Sequence, residues 1–449
     1  MPQVPGVAVY RGRFGAAEAE RLLWRAGFGP RRGEAEKLAR LGLEGAVHHL
    51  VSPSREKLVG PEPHDDKGKP LAPFDAWGHD HLWWLDRMVR TSRPLVERMA
   101  LVWHDWFATS NAGVDSQRLM LGQNQLFREH GLGSFRELFQ RVTADPAMLL
   151  WLNGSDNSRY SPNENYAREM MELFSLGADR GYHETDVRQQ ARALTGFRND
   201  WRPSAGPVNF RYDPRYHDSG TKRVFGHSGA FTWKDSVRLC VSHPDHASFF
   251  VAKLWSYFVP TPPDRQTQSA LERLYVRSGH EVRPVLAAIL RHPTLHRGPR
   301  MIKSPVLYTA GLLRRIGRGI DTTAWVWLDA MAGQQLFNPP NVAGWDDTRW
   351  LDTATWRGRW WIAQYVVNPY ALDPDKASQP ADADHLLERA LAFWRGPVLE
   401  VQTHTALRTF ARNALADAKS ATWKRRPYAV MTQNALRHLI AVSPELQAA

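Results

Sequence analysis

The chain has 449 residues and a formal charge of +12, with 43% hydrophobic and 23% charged residues. That is the balance of a globular protein with room for two or three domains, and no apolar run approaches the roughly 20 residues that cross a bilayer. Its one cysteine, Cys240, excludes an internal disulfide and cysteine-based zinc or iron–sulfur centres.

The first residues, MPQVPGVAVYRGRFG, hold no apolar core of signal-peptide length. The expectation is a cytoplasmic protein, unless it is exported with a partner that carries the signal. Residues 16–29 read as a helix stopped by Gly-Phe-Gly-Pro, and 34–51 as a second helix. Residues 52–74 are polar and proline-rich, and read as an exposed connection. A helix starts at Pro94 and runs through Leu95, Met99, Val102, Trp103 and Trp106 with period 3 to 4. Helices follow at 115–130, 134–144, 147–153, 233–242, 247–259, 265–278, 282–291, 303–316 and 322–332, then at 385–394 and 425–442. Cys240 falls in an apolar run and reads as a buried core residue.

Nothing alternates with period 2 for long enough to build a large sheet. The expected fold is all-α, an irregular multi-helix assembly with long aromatic-rich loops and at most a small β-hairpin. A main helical domain over 1–355 would carry a C-terminal helical extension, 356–449, packed on it.

Two stretches break the helical pattern. Residues 197–233 form a long loop crowded with Phe, Tyr and Trp, and residues 338–356 hold Trp345, Trp350 and Trp356 between turn residues. Long ordered loops of this kind often carry function. Trp345 and Trp350 would be core or pocket lining.

Residues 161–177 carry the strongest local signal. Ser161 can cap, Pro162 suits the first turn, Glu164 completes a capping box and Gly177 ends the helix. Tyr166, Met170, Leu173 and Phe174 form the apolar face. Asn165, Glu169 and Glu172 share another face, with Arg168 beside them. Two carboxylates one turn apart can share a metal or divide acid and base roles. They can equally pair with Arg188 and Arg192, one turn apart on the next helix, and lock the two helices together.

His104, in an apolar helix, is a satisfied core residue or a ligand. His217 and Asp218 lie in the long loop, where a site role competes with pinning of the loop. Lys222 and Lys303 could hold an anionic group as point charges. Asn163, Asn165 and Asn341 read as amides that pin backbone or touch a ligand. If a divalent metal binds, Glu169, Glu172, His104 and His217, with Asp218, offer oxygen and imidazole donors suited to Mn, Fe, Zn or Mg. The chain has no HExxH, P-loop, GxGxxG at a strand-to-helix turn, or GxSxG, which argues against zincins, P-loop and classical NAD enzymes, and α/β-hydrolases. The arginines are spread along the whole chain, without a basic tail or helix-turn-helix. Nucleic acid is therefore not an expected partner, while an acidic or phosphorylated ligand suits the charge.

NENYAREMMELFSLG followed by GYHETDVRQQARALTGF resembles the signature of the uncharacterised bacterial family called domain of unknown function 1800. RLLWRAGFGP, LVWHDWFATS, FRYDPRYHDSGTKRVFG, HPDHASFFVAKLWSYFV, IKSPVLY and GQQLFNPPNVAGWDDTRWL agree in order, so the resemblance covers most of the chain. The resemblance carries no assigned activity. It implies frequent export and gene neighbours of a sulfatase-like family, and Trp106 stands where some relatives show a second histidine after His104.

Two expectations for function follow. One is an enzyme using the Glu169, Glu172, His217 and Asp218 cluster, with or without a metal, on a polar or anionic substrate. There Arg168, Arg188, Arg192, Asn165, Lys222 and Trp345 would bind or orient. The other is a non-catalytic scaffold or accessory partner of a sulfatase-like hydrolase.

Overall fold

The computed structural model describes residues 4–376, 382–417 and 422–449. Helices dominate, as the periodicity predicts, and the strands among the described residues form two small antiparallel hairpins. No described helix is long and apolar enough to cross a membrane.

The organising element is the Pro94–Trp106 helix, whose apolar residues run all the way round, the pattern of a helix enclosed by protein. Every residue of it is buried except Asp105. Trp103 and Trp106 pack at 5.3 Å, and Phe135 and Phe250 at 5.0 Å, in the tilted and edge-on arrangements aromatic rings prefer. The one carboxylate buried inside this helix, Glu97, is neutralised on the spot. Arg128 meets it at 2.6 and 2.9 Å, Arg87 at 3.1 Å, and the Trp84 indole donates at 3.1 Å. Burial would raise the Glu97 pKa, but Arg128 and Arg87 hold it below its ordinary value.

Several boundaries differ from the sequence reading. The single helix expected over 34–51 is two, Glu34–Ala39 and Gly42–Val51, because Gly42 takes a left-handed φ of 64° that no helix continues through. The long loop folds into two hairpins, β1 (Phe197–Arg202) with β2 (Gly206–Tyr212), and β3 (Lys222–Val224) with β4 (His227–Gly229). These strands are too short and too exposed to leave a clear period-2 signal.

The helix expected to start at Ser161 starts at Asn165. Ser158 and Ser161 bridge one another, Asn157 Oδ1 accepts from the Asn163 amide, and Asn163 Oδ1 accepts from the Asn165 amide at 2.9 Å. An asparagine ladder therefore serves the first amides in place of the Ser161 cap.

The division expected at 355/356 falls inside one helix, Thr353–Val367. From that helix the buried Arg359 guanidinium donates to the carbonyls of Trp350 and Lys303, each at 2.7 Å, and to Gln447 at 3.0 Å. One side chain thus ties the C-terminal segment to the residues before Pro305. Cys240 is buried, and burial pushes its thiol up to about 12, an inert core residue.

Candidate active site

The Asn165–Met171 helix does not continue regularly to Gly177; it widens into a π turn over Glu172–Leu176. Such turns break the usual carbonyl pairing and often lie near functional sites. Here the freed carbonyls are served by side chains. Leu173 O accepts from Lys253 Nζ at 3.0 Å, Phe174 O from the Trp106 indole at 3.0 Å, and Ser175 O lies 2.9 Å from His246 Nδ1. The Lys253 ammonium sits where the helix dipole is negative and 4.7 Å over the Trp106 ring. The most distinctive stretch of the sequence therefore positions a lysine.

That lysine lines a cavity of about 260 Å³, together with Arg25, Arg98, Asp105, Tyr257 and Lys303. Trp345 and Trp350 also line it. Asp105, the one residue of its helix that is not buried, is held there from two directions. The Tyr257 hydroxyl donates to Oδ2 at 2.7 Å and the Trp345 amide donates to Oδ1 at 2.9 Å. Gly344 permits this approach: it has φ 94°, and a Cβ there would meet Asp105 Oδ1 at 2.3 Å.

The electrostatics are those of an enclosed polar site. Burial raises the Asp105 pKa against the two donors, and burial with the Asp105 charge raises Tyr257 well above its ordinary value. Burial lowers Lys253 to about 8, although Asp105 pulls it up. Such an arrangement can hold a carboxylate base, a neutral phenol donor and an amine that titrates near neutrality within one cavity.

Five separate stretches of the chain meet here. RLLWRAGFGP supplies Arg25, LVWHDWFATS supplies Asp105, and HPDHASFFVAKLWSYFV supplies Lys253 and Tyr257. IKSPVLY supplies Lys303, and GQQLFNPPNVAGWDDTRWL supplies Trp345, Asp347 and Trp350. These are five of the segments that carry the family resemblance, and the segments 163–177, 181–197 and 210–226 are not among them.

Most of the residues singled out from sequence lie elsewhere, and they do not converge. Glu169 and Glu172 are half-buried and pair with neither Arg188 nor Arg192. Glu172 accepts from the Tyr182 hydroxyl at 3.3 Å, and burial followed by the Glu172 charge raises Glu169. Arg168 instead meets Glu184 at 2.7 and 2.9 Å. Arg188 is exposed. Arg192 grips Asp218 at 2.7 and 3.2 Å, at the opposite end of the Glu184–Ala193 helix. That helix is about 15 Å long, which keeps the two clusters apart. Asn165 is exposed, with its amide 3.3 Å from Asn153 Oδ1.

His217 is buried, its Nδ1 3.0 Å from Thr195 O, and the Thr195 hydroxyl accepts from the Asp218 amide at 2.8 Å. Lys222 is buried and donates to the carbonyls of Asp218 and Gly220. These contacts pin the loop. His104 is enclosed by the rings of Trp84, Phe127, Phe337 and Trp345, and burial lowers it to about 3, so it is a neutral core residue. The expected ligand set of Glu169, Glu172, His104 and His217 is not brought together, and no group of three or more possible metal donors occurs among the described residues. Trp345, Trp350 and Lys303 are the sequence candidates that reach the cavity.

Sequence reasoning passed over Asp105, Lys253, Tyr257, Arg25 and Arg98. A usable signal was present: each charged member sits in a segment otherwise patterned as core, and Lys253 and Tyr257 are one turn apart. A charge that a core helix retains demands a partner or a purpose.

Fold and cavity together define a helical protein with an enclosed, charged pocket at the meeting of distant segments. The chain belongs to the family described as Protein of unknown function (DUF1800), whose model matches residues 21–448. No curated protein and no solved structure matches it.

Proposed function

We propose that the protein is an enzyme whose centre is the Asp105–Tyr257–Lys253 cavity, acting by acid–base chemistry on a small polar or anionic substrate. The observation that carries this reading is the Asp105 carboxylate, held by Tyr257 at 2.7 Å and by the Trp345 amide at 2.9 Å on the wall of a cavity it shares with Lys253. Paired titratable groups with shifted pKa values in an enclosed pocket are a common mark of catalysis. In this reading Asp105 accepts a proton, Tyr257 orients it, and Lys253 donates a proton or stabilises developing negative charge. The Glu169, Glu172, His217 and Asp218 cluster is relieved of a catalytic part, because its members are separated and engaged in helix and loop contacts.

The test is incubation of purified protein with a metabolite extract, followed by mass spectrometry. A metabolite consumed by the native chain and spared by a folded Asp105→Asn variant supports the reading. Identical profiles from the two proteins sink it.

A second reading, an accessory of a sulfatase-like hydrolase, is favoured by one surface feature. Trp327 and Trp361 are each about two-fifths exposed, at 40% and 43%, and Trp327 packs edge-on against Tyr365 one turn from Trp361. Exposed aromatics grouped in this way suit a protein partner. Co-purification of the native chain with such a hydrolase, lost on Trp361→Glu, would support it.

A further inference from the structure

Four cationic side chains, Arg25, Arg98, Lys253 and Lys303, line the one cavity, and among the described residues none has a carboxylate oxygen within ion-pairing distance. Arg25, Arg98 and Lys303 are 3%, 8% and 3% exposed. A buried cation without a counter-ion is expensive, and several around one space compound the cost by mutual repulsion. Asp105 offsets part of this charge at longer range, acting on Arg98 and Lys253, while its oxygens bond to Tyr257 and the Trp345 amide rather than to a cation. Among the described residues the other carboxylates on the wall are the exposed Asp347 and the terminal carboxylate of Ala449.

Helix capping accounts for part of this. Arg25 donates to Phe258 O at 2.8 Å and to Pro299 O at 2.9 Å, and Arg98 donates to Tyr257 O at 2.9 Å. The carbonyls of 257 and 258 follow the end of the His246–Ser256 helix, where cations are favoured. Capping leaves a residue unexplained, however. The Nε–H groups of Arg25 and Arg98 and the indole N–H of Trp350 are buried without acceptors. All three belong to residues on this cavity, all three are donors, and among the described residues no side-chain acceptor on its wall is left unpartnered in the same way. A cavity lined by several cations that lack a paired carboxylate is complementary to an oxyanion.

We infer that this cavity binds a doubly charged oxyanion, a phosphoryl group either free or as the monoester of a substrate, through Arg25, Arg98 and Lys253. Four cationic side chains stand against three carboxylates, Asp105, Asp347 and the Ala449 terminus, and a phosphoryl group offers three terminal oxygens to Arg25, Arg98 and Lys253 where a carboxylate offers two. The inference rests on the reading of this cavity as the active site and names the substrate class it takes. Burial lowers Arg25 to about 9, Arg98 to about 10 and Lys253 to about 8, the direction expected of cations awaiting a counter-charge.

The test uses the intact native chain and the reactivity of its lysines. Acetic anhydride labelling near the Lys253 pKa is followed by peptide mapping, with the exposed Lys67 as internal reference. Inorganic phosphate and glycerol phosphate are compared with acetate and chloride at matched ionic strength, which removes general screening. Phosphate or its monoester should lower Lys253 labelling about tenfold relative to Lys67, while acetate and chloride leave it unchanged. Stronger protection by glycerol phosphate than by phosphate identifies the monoester as the form held. Arg98→Gln should abolish the protection and Asp105→Asn should keep it. Equal labelling in phosphate and chloride, or equal protection by acetate, overturns the inference, and neither result needs a variant that folds. Loss of metabolite turnover in Asp105→Asn with protection intact separates this inference from the acid–base reading.

Discussion

The Tyr257 hydroxyl donates to Asp105 Oδ2 across 2.7 Å, joining the Pro94–Trp106 helix to the end of the His246–Ser256 helix across 152 positions of chain. This bond and the Trp345 amide are what allow this carboxylate to stay in a helix whose other residues are all buried. Tyr257→Phe removes one of the two donors. It should cost about 1–3 kcal/mol of stability, the penalty of leaving a desolvated acceptor short of a partner. Urea unfolding measures it. A change under a few tenths would mean that water already serves Asp105.

Gly344→Ala should be more damaging than its size suggests. The new methyl would meet Asp105 Oδ1 at 2.3 Å in a backbone with φ 94°. Strain of this kind costs about 1–3 kcal/mol, and the Trp345 amide must move off Asp105. A lower melting temperature with a changed tryptophan emission spectrum is the expected pair of results. An unaltered melt would show that the loop after Asn341 yields freely.

Lys253, lowered to about 8 by burial, makes stability depend on pH in a stated direction. A lysine whose folded pKa lies below its unfolded one penalises the folded state while it is charged. Stability should therefore rise as pH climbs from about 8 toward the ordinary lysine value near 10.4. The comparison is native chain against Lys253→Met, unfolded in urea at about pH 7 and about pH 9.5. The native chain should gain on the variant at the higher pH, and a constant difference would contradict the assignment.

Glu97 should behave in the opposite sense. It is fully buried, and Arg128 and Arg87 hold its pKa below the ordinary value against the effect of burial. Its contribution is present above the unfolded pKa and is lost as pH falls through the folded one. Glu97→Gln strands two arginines and should cost about 3–5 kcal/mol. Acid unfolding of the variant should begin from that lower stability and show a shallower dependence below about pH 4.

Glu169→Gln and Glu172→Gln should be nearly silent. Neither carboxylate has an ion-pair partner among the described residues, and burial together with the Glu172 charge raises Glu169. Neutralising one relieves the other, so thermal melting should be unchanged or slightly improved. A clear loss of stability or of turnover in either variant would restore these residues to a central role.

What the sequence determined by itself was local and periodic. The core-patterned Pro94 helix, the late stop at Gly177, the start of most helices and the mainly helical class follow from spacing within one or two turns. The family membership follows from ordered motifs over nearly the whole chain. Tertiary structure decided which charges meet. Sequence spacing put Glu169 and Glu172 within reach of Arg188 and Arg192, but Arg168 took Glu184 and Arg192 took Asp218. Spacing also drew attention to His104 over its neighbour. On an enclosed helix adjacent residues face different surroundings, so His104 entered a box of rings while Asp105 faced Tyr257 and the cavity. The π turn did the rest, since no periodicity marks which carbonyls it frees. Only folding brings Lys253 to one of them and, with Asp105, onto the wall of a single cavity.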